Sequence, residues 1–442
     1  MGNAASGGRR RAGARGSGRP GSPGAGGGCA RRGSNIAGLA LGCLAFALLA
    51  SCAAGSESAS TPVEVGVAVP FAGTELMLEA RQGWQIVLDS INESGGVVGR
   101  PLRVVERDTP LAAADDLAPI ADGFIDLTSE GYRYIISLVS GAALEPMMRA
   151  ATSRGVLAMS ITSEEPAAQV AGYDALLLRG ILATDRLIDK QARALQADGL
   201  VHLVIVGPTR GGATDARHAA MHSAYAACGS CQVDDVTYPA ESDEYLYDWR
   251  GLGRRVQGAQ PDVIYLASAD GSALTDSVRA IEVAGYRGLY YFAYGGYLAA
   301  VVPAFGPEVT RRFRSYDLAL PPGAQSDEFL ARYQALYGDS FVPEPRLIAF
   351  ADYLALLALA MTRVGTDDPA LVAQTMKELA GPPGDAYGPL DFAAASAAVR
   401  AGDDIDFVGL SGPLDFDERG EVADGFALEY GVDPTGSVVP VR

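Results

Sequence analysis

Two short hydroxyl-bearing segments carry the chemistry most readily read from this chain. Val139-Ser140-Gly141-Ala142-Ala143 follows an apolar run and opens a helical pattern, so the Ser140 hydroxyl and the amides from Gly141 onward sit where an anionic group meets the positive end of a helix. Ser140 also suits the plainer task of capping that helix. Ser160-Ile161-Thr162-Ser163 ends the next apolar run, and two such turns side by side can grip a carboxylate with hydroxyls and amides. Glu164-Glu165 follows directly and opposes an anion unless both side chains face water. Tyr294 and Tyr297, in AYGGY after another apolar run, offer an aromatic face.

Enzymatic chemistry finds little footing. No G-x-G-x-x-G follows the first strand pattern, no G-K-[ST] follows a glycine loop, and G-x-S-x-G is absent. His202, His218 and His222 are the only histidines. His218 and His222 are spaced i, i+4 on a helical pattern and could share a metal, but H-E-x-x-H is missing and no carboxylate partner is visible, so a solvated helix face is the expectation. No metal and no cofactor is expected. Of the five cysteines, Cys228 and Cys231 lie in AACGSCQV at a helix end, and in an exported protein such a pair forms a disulfide. Neither a thioredoxin-like strand nor a second ligand pair accompanies it.

The elements that must position these residues are best seen from Val63 to Asp108. Val63, Val65, Val67 and Val69 alternate like a strand that Pro70 and Gly73 stop. Leu76, Ala80, Trp84, Val87 and Ile91 recur at helical spacing, Gly95-Gly96 ends the helix, and Leu102, Val104 and Val105 form the returning strand. A strand regained through a helix is a βαβ crossover, with ligand-contacting loops at the carboxyl ends of its strands. The same alternation continues through Tyr134 to Val139, Val156 to Ser160, Leu200 to Val206, Val233 to Tyr238, Val263 to Ala267 and Leu289 to Ala293. Further on, Phe350 to Val364 is a long apolar helix and Pro369 to Leu379 a second one. Two consecutive parallel-sheet domains are the simplest account of the 442 residues.

Residues 1–51 read as a leader. Met1 to Ser34 is rich in Gly, Arg, Ser and Pro without apolar periodicity and is expected not to pack, and Ile36 to Ala50 is the apolar core of a signal sequence behind Arg31 and Arg32. The run ends in Leu49-Ala50-Ser51-Cys52, which resembles the bacterial lipobox, whose cysteine thiol is acylated and becomes the new N-terminus. Removing this leader takes seven arginines and no acid, leaving 28 basic against 53 acidic side chains, a charge of about −25. Such a chain does not bind nucleic acid by counterion release.

VGVAVPFAG followed by GWQIVLDSINESGGVVGRPLRVVERD resembles the opening of the type I periplasmic solute-binding proteins of branched-chain amino-acid ABC importers. The closing segment DFVGLSGPLDFDERGEVADGFALEY is similar to that family's final hairpin, so the resemblance spans Thr61 to Tyr430. It implies an α/β fold of two Rossmann-like lobes with parallel-core sheets, joined by a three-crossing hinge near Arg179, Tyr316 and Gly412. One lobe would hold 61–179 and 317–411, the other 180–316 and 412–442. It also implies a lipid-anchored, monomeric extracytoplasmic protein, not an enzyme, that traps a small polar solute between lobes for an ABC permease or receptor. A sensor or envelope-enzyme activator of the same fold, and an exported α/β enzyme, are the alternatives. Ser140, Gly141, Ser160, Thr162 and Ser163 fall where the family contacts ligand. Asp185, six residues after Arg179 in LRGILATD, matches an Asp that holds a ligand ammonium in amino-acid-binding members, and serves equally as a cap for the helix that follows. Two departures stand out: Glu164-Glu165 replaces the family's Thr-Ser, and Gly211-Gly212 replaces its Tyr-Gly, leaving Tyr294 to supply the aromatic face.

Overall fold

Val63–Val69 forms the first strand, β1, and every residue in it except Glu64 is buried. Alternating valines alone would suit a strand with one wet face; burial of both faces comes from helices above and below, as in parallel sheets generally. The computed structural model describes residues 61–70, 75–110, 117–139, 141–162, 176–209, 212–239, 247–268, 270–293, 295–338 and 345–441. The expected signal core and Cys52 lie outside those residues, as do Ser140, Ser163, Glu164, Glu165 and Tyr294.

Helix α1 (Glu75–Glu93) turns Ala80, Trp84, Val87 and Ile91 inward, the spacing its sequence predicts. Gly95 and Gly96 end it with φ of 97° and 67°, and a Cβ on Gly96 would stand 2.1 Å from the Arg100 carbonyl oxygen. Asn92 then fastens the turn to β2 (Leu102–Asp108): its Nδ2 donates to Leu102 O at 3.0 Å and its Oδ1 accepts from Leu102 N at 2.8 Å. That pair of hydrogen bonds explains the Asn before the glycine pair. Helix α2 (Ala118–Glu130), β3 (Tyr134–Ser137), α3 (Gly141–Arg154), β4 (Leu157–Ser160) and β5 (Leu177–Arg179) complete an all-parallel sheet of order β2-β1-β3-β4-β5. Ile120, Phe124, Met147 and Ala151 of α2 and α3 seal one face.

A second sheet follows. Its elements are α4 (Thr184–Ala197), β6 (His202–Pro208), α5 (Gly212–Ala226), β7 (Gln232–Tyr238), α6 (Trp249–Ala259), β8 (Val263–Leu266), α7 (Gly271–Val283), β9 (Leu289–Phe292), the short α8 (Gly295–Val301) and α9 (Pro307–Thr310), and β10 (Phe313–Leu318). The chain then runs through α10 (Ala324–Tyr337), α11 (Pro345–Val364), α12 (Pro369–Leu379), β11 (Asp385–Tyr387), α13 (Phe392–Ala401), β12 (Ile405–Gly409) and β13 (Gly412–Pro413), and returns as β14 (Ala427–Val432) and β15 (Val438–Pro440). The order is β15-β14-β10-β9-β8-β6-β7, parallel from β10 to β7 and antiparallel at β10–β14 and β14–β15.

The core of the first sheet is finished by residues far along the chain. Leu347–Val364 is long and apolar enough to cross a membrane, yet 83% of it is buried inside the protein, packed on α1, α12 and α13. Trp84 of α1 meets Phe350 of α11 at 4.9 Å between ring centroids. Three segments therefore join the two halves, at 180–183, 319–323 and 414–426. They lie side by side: Arg179 N donates to Gly420 O at 2.7 Å, Val422 N to Arg179 O at 3.2 Å, and Ala319 N to Phe426 O at 3.0 Å. The architecture is α/β, two Rossmann-like lobes with parallel-core sheets on a three-crossing hinge.

Candidate ligand site

The exits of β3, β4 and β5 share one edge of the first sheet, and their side chains gather on the Val139 carbonyl. Ser160 Oγ and Thr162 Oγ1 each lie 3.3 Å from that oxygen, and Arg179 Nη2 donates to it at 3.4 Å. Ser160 and Thr162 also face each other at 3.3 Å, and Thr162 N donates to Ser160 Oγ at 3.3 Å. Both hydroxyls are thus turned inward, on residues 0% and 9% exposed. Arg179 is 1% exposed, so a guanidinium charge is held out of water at the turn where Gly141, in the left-handed region with φ of 53°, starts α3. Sequence reasoning placed Arg179 at the crossing but not its charge beside the hydroxyl turns.

Consecutive residues of α11 hold this edge to the hinge. The Tyr353 hydroxyl donates to Ser160 O at 2.7 Å or Leu178 O at 3.0 Å and accepts from Gly180 N. A Cβ on Gly180 would stand 3.0 Å from the Tyr353 ring and hydroxyl, so a larger residue there would have to push that side chain aside. Asp352, wholly buried, accepts from Leu410 N at 2.7 Å, Ser411 N at 2.8 Å and Ser411 Oγ at 2.6 Å. Burial pushes its carboxyl up to about 6, against the opposing pull of the Ser411 and Leu410 donors.

Across the first connector, α4 begins at Thr184 with Ala183 in the capping position. Asp185 lies in the first turn, exposed, with Oδ1 accepting from Arg186 N at 2.8 Å. The next residues do the docking. Arg186 donates to Val422 O at 2.6 Å and to Asp417 Oδ2 at 2.8 Å, and Lys190 donates to Gly425 O at 3.1 Å and pairs with Asp424. Burial works to raise the Asp417 carboxyl, but the Arg186 hydrogen bond and backbone donors outweigh it and hold it below the usual range. Lys190 does the same for Asp424.

In the second lobe Arg217 of α5, 1% exposed, donates to the carbonyl of Ala293, the first residue of AYGGY. Asp317, at the end of β10, accepts from Gly295 N at 3.1 Å and fixes the start of α8. Neither residue has a motif around it: the pairing of β9 with β10 brings Asp317 to the start of α8, and α5 brings Arg217 to the end of β9. Tyr297 is half-buried and packs onto the second core. Cys228 and Cys231 are joined by a disulfide in the turn between α5 and β7. The histidines are not simply solvated: His218 and His222 both face Asp235 of β7, a carboxylate that the sequence did not reveal as their partner. A cavity of about 420 Å³ lined by Glu64, Arg100, Glu130, Arg133, Tyr134 and Asp367 opens at the amino ends of β1 and β3, the opposite end of the sheet from the hydroxyl turns.

Two α/β lobes whose strand exits meet at three adjoining connectors define the class of two-lobed solute-binding proteins. The family model described as periplasmic binding protein matches residues 62–407, and the chain belongs to that family. Among solved structures it is similar to an ABC transporter substrate-binding protein from Desulfitobacterium hafniense, with 21% identity and a TM-score of 0.66 over 86% of this chain and 100% of the other. The same organism's protein in complex with Leu gives 21% identity, a TM-score of 0.64 and the same coverage. A leucine-binding protein from Thermotoga maritima gives 17% and 0.62 over 86% and 98%. None of the curated proteins matches the sequence significantly. The family is one of binding proteins rather than enzymes, and it is periplasmic.

Proposed function

We propose that the protein is an extracytoplasmic, lipid-anchored receptor that captures a small polar solute, an amino acid or related carboxylate, between its lobes and presents it to an ABC permease. The observation that carries this reading is the family match across 62–407 on a chain whose connectors form a three-strand hinge. The lobes are 61–179 with 317–411 and 180–316 with 412–442, and ligand binding selects their closed arrangement. Ser140, Gly141, Ser160, Thr162 and Ser163 face the solute from one side, with Asp185 and Tyr294 on the other. The buried Arg179 charge beside the Val139–Gly141 turn favours an acidic group there. Leucine and isoleucine, present in solved relatives, are the first solutes to try. Mass spectrometry of what co-purifies with the protein, followed by calorimetry with those solutes, tests the assignment; an empty protein that binds no amino acid or carboxylate overturns it.

A further inference from the structure

The third connector begins as a hairpin fastened to the first sheet. Phe416 and Val422 bridge as an antiparallel pair, and Asp417 Oδ1 closes the turn by accepting from Arg419 N at 2.9 Å and Glu421 N at 3.1 Å. Arg179 of β5 brackets the turn through Gly420 O and Val422 N, and Lys377 of α12 donates to Glu418 O at 3.3 Å. Leu414 and Val422, 1% and 2% exposed, belong to the core of that sheet. We propose that Arg186 and Lys190 of α4 tie this segment to the second lobe as an ionic strap across the hinge, which fixes the angle between the lobes and loosens as ionic strength rises.

The helix that carries the two cations is rooted in the second lobe, where Ile188, Ala192 and Leu195 share a core with Leu203 and Ile205 of β6 and Tyr265 of β8. Residues four apart leave a helix on one face, so Arg186 and Lys190 reach the connector a turn apart. Arg186 holds it at Val422 O and Asp417 Oδ2, and its Nη2 stands 3.8 Å from Oε2 of Glu421, whose side chain is 3% exposed. Lys190 holds it farther on, at Gly425 O and Asp424. Two cations thus face three carboxylates across one gap, and such a network is worth more than an isolated surface pair.

Leu187, beside Arg186, is 1% exposed and joins the first core instead, an apolar contact that salt does not screen. The same helix therefore meets the first lobe through an apolar pivot and a charged strap. Arg186, Asp417 and Lys190 are 31%, 30% and 35% exposed, so dissolved ions reach the strap but not the pivot. The screening length falls from about 10 Å at 0.1 M salt to about 3 Å at 1 M, short enough to weaken these pairs while leaving the core intact. Nothing in this coupling depends on which solute the cleft takes, or on whether it takes one.

The test is the spread of distances between the lobes, read by electron spin resonance on the dialysed full chain with no solute added. Spin labels carried on keto side chains at the exposed positions Ser153 of α3 and Gly258 of α6 leave the cysteines untouched. The native distribution should be narrow at low salt and widen about twofold at about 1 M NaCl. Arg186→Gln with Lys190→Gln should be wide at both salt concentrations, as should Lys190→Glu alone. Exchanging the charges, Lys190→Glu with Asp424→Lys, should restore the narrow, salt-sensitive distribution, which loss of a merely local contact would not predict. A native distribution indifferent to salt, neutralised variants as narrow as the native chain, or a charge exchange that stays wide overturns the strap.

Discussion

Val139 presents one carbonyl to two hydroxyls and a guanidinium, and that crowding decides what the residues of the first lobe can offer a solute. Hydroxyls rotate freely, so a ligand carboxylate competes with the Val139 oxygen for the same protons, while the Arg179 charge stays in place whichever acceptor wins. Hydrogen bonds to charged groups contribute about 1.5–3 kcal/mol, so Thr162→Ala and Asp185→Ala should each weaken solute binding roughly tenfold or more, measured by calorimetry once the solute is known. Unchanged affinity in both variants would show that these side chains serve the fold alone. The hydroxyl positions were legible because strand exits and helix starts are written in local pattern. The inward turn of Ser160 and Thr162 was not, and neither was Asp235, because each depends on an atom brought in by a different element.

At the scale of the elements, α11 decides how the hinge is held. Tyr353→Phe leaves Gly180 N and two strand carbonyls without the hydroxyl and should cost about 1–3 kcal/mol in denaturant unfolding. Asp352 adds a pH dependence of definite sign. Its folded value of about 6 lies above the ordinary 3.8, so the native state keeps a proton that the unfolded chain has released. The stability it contributes is complete below 3.8 and lost as the pH rises through about 6. Denaturation midpoints at acid and neutral pH should therefore show a decline in the native chain that Asp352→Asn does not share. The short loop closed by Cys228–Cys231 removes little unfolded-state entropy, so replacing both cysteines by Ser should cost only about 1–2 kcal/mol in the same measurement. Alternation and glycine punctuation made β1, α1 and β2 readable. The Ala-rich FAAASAAVRA of α13 and the two-to-five-residue strands β11 to β13 carry too little periodic contrast, and the packing of α13 on α11, of β12 on α11 and α12, and of β11 and β13 on β12 defines them instead.

For the whole molecule, the proposed anchor and the proposed capture make separable demands. Cys52→Ala should release the protein from membranes while leaving solute affinity unchanged, with fractionation and calorimetry as the two readings. The long-range pairing of α1 with α11 has a consequence for the order in which the molecule is made. A chain emerging from the ribosome or through a membrane pore presents β1 to β5 long before α11, and until Phe350 reaches Trp84 the face of the first sheet on which α1 lies lacks the rest of its cover. The first lobe must then wait for almost the last fifth of the chain, and stays threadable until it arrives. A fragment ending at residue 338 should accordingly be cut by protease throughout its first lobe, whereas the full chain resists.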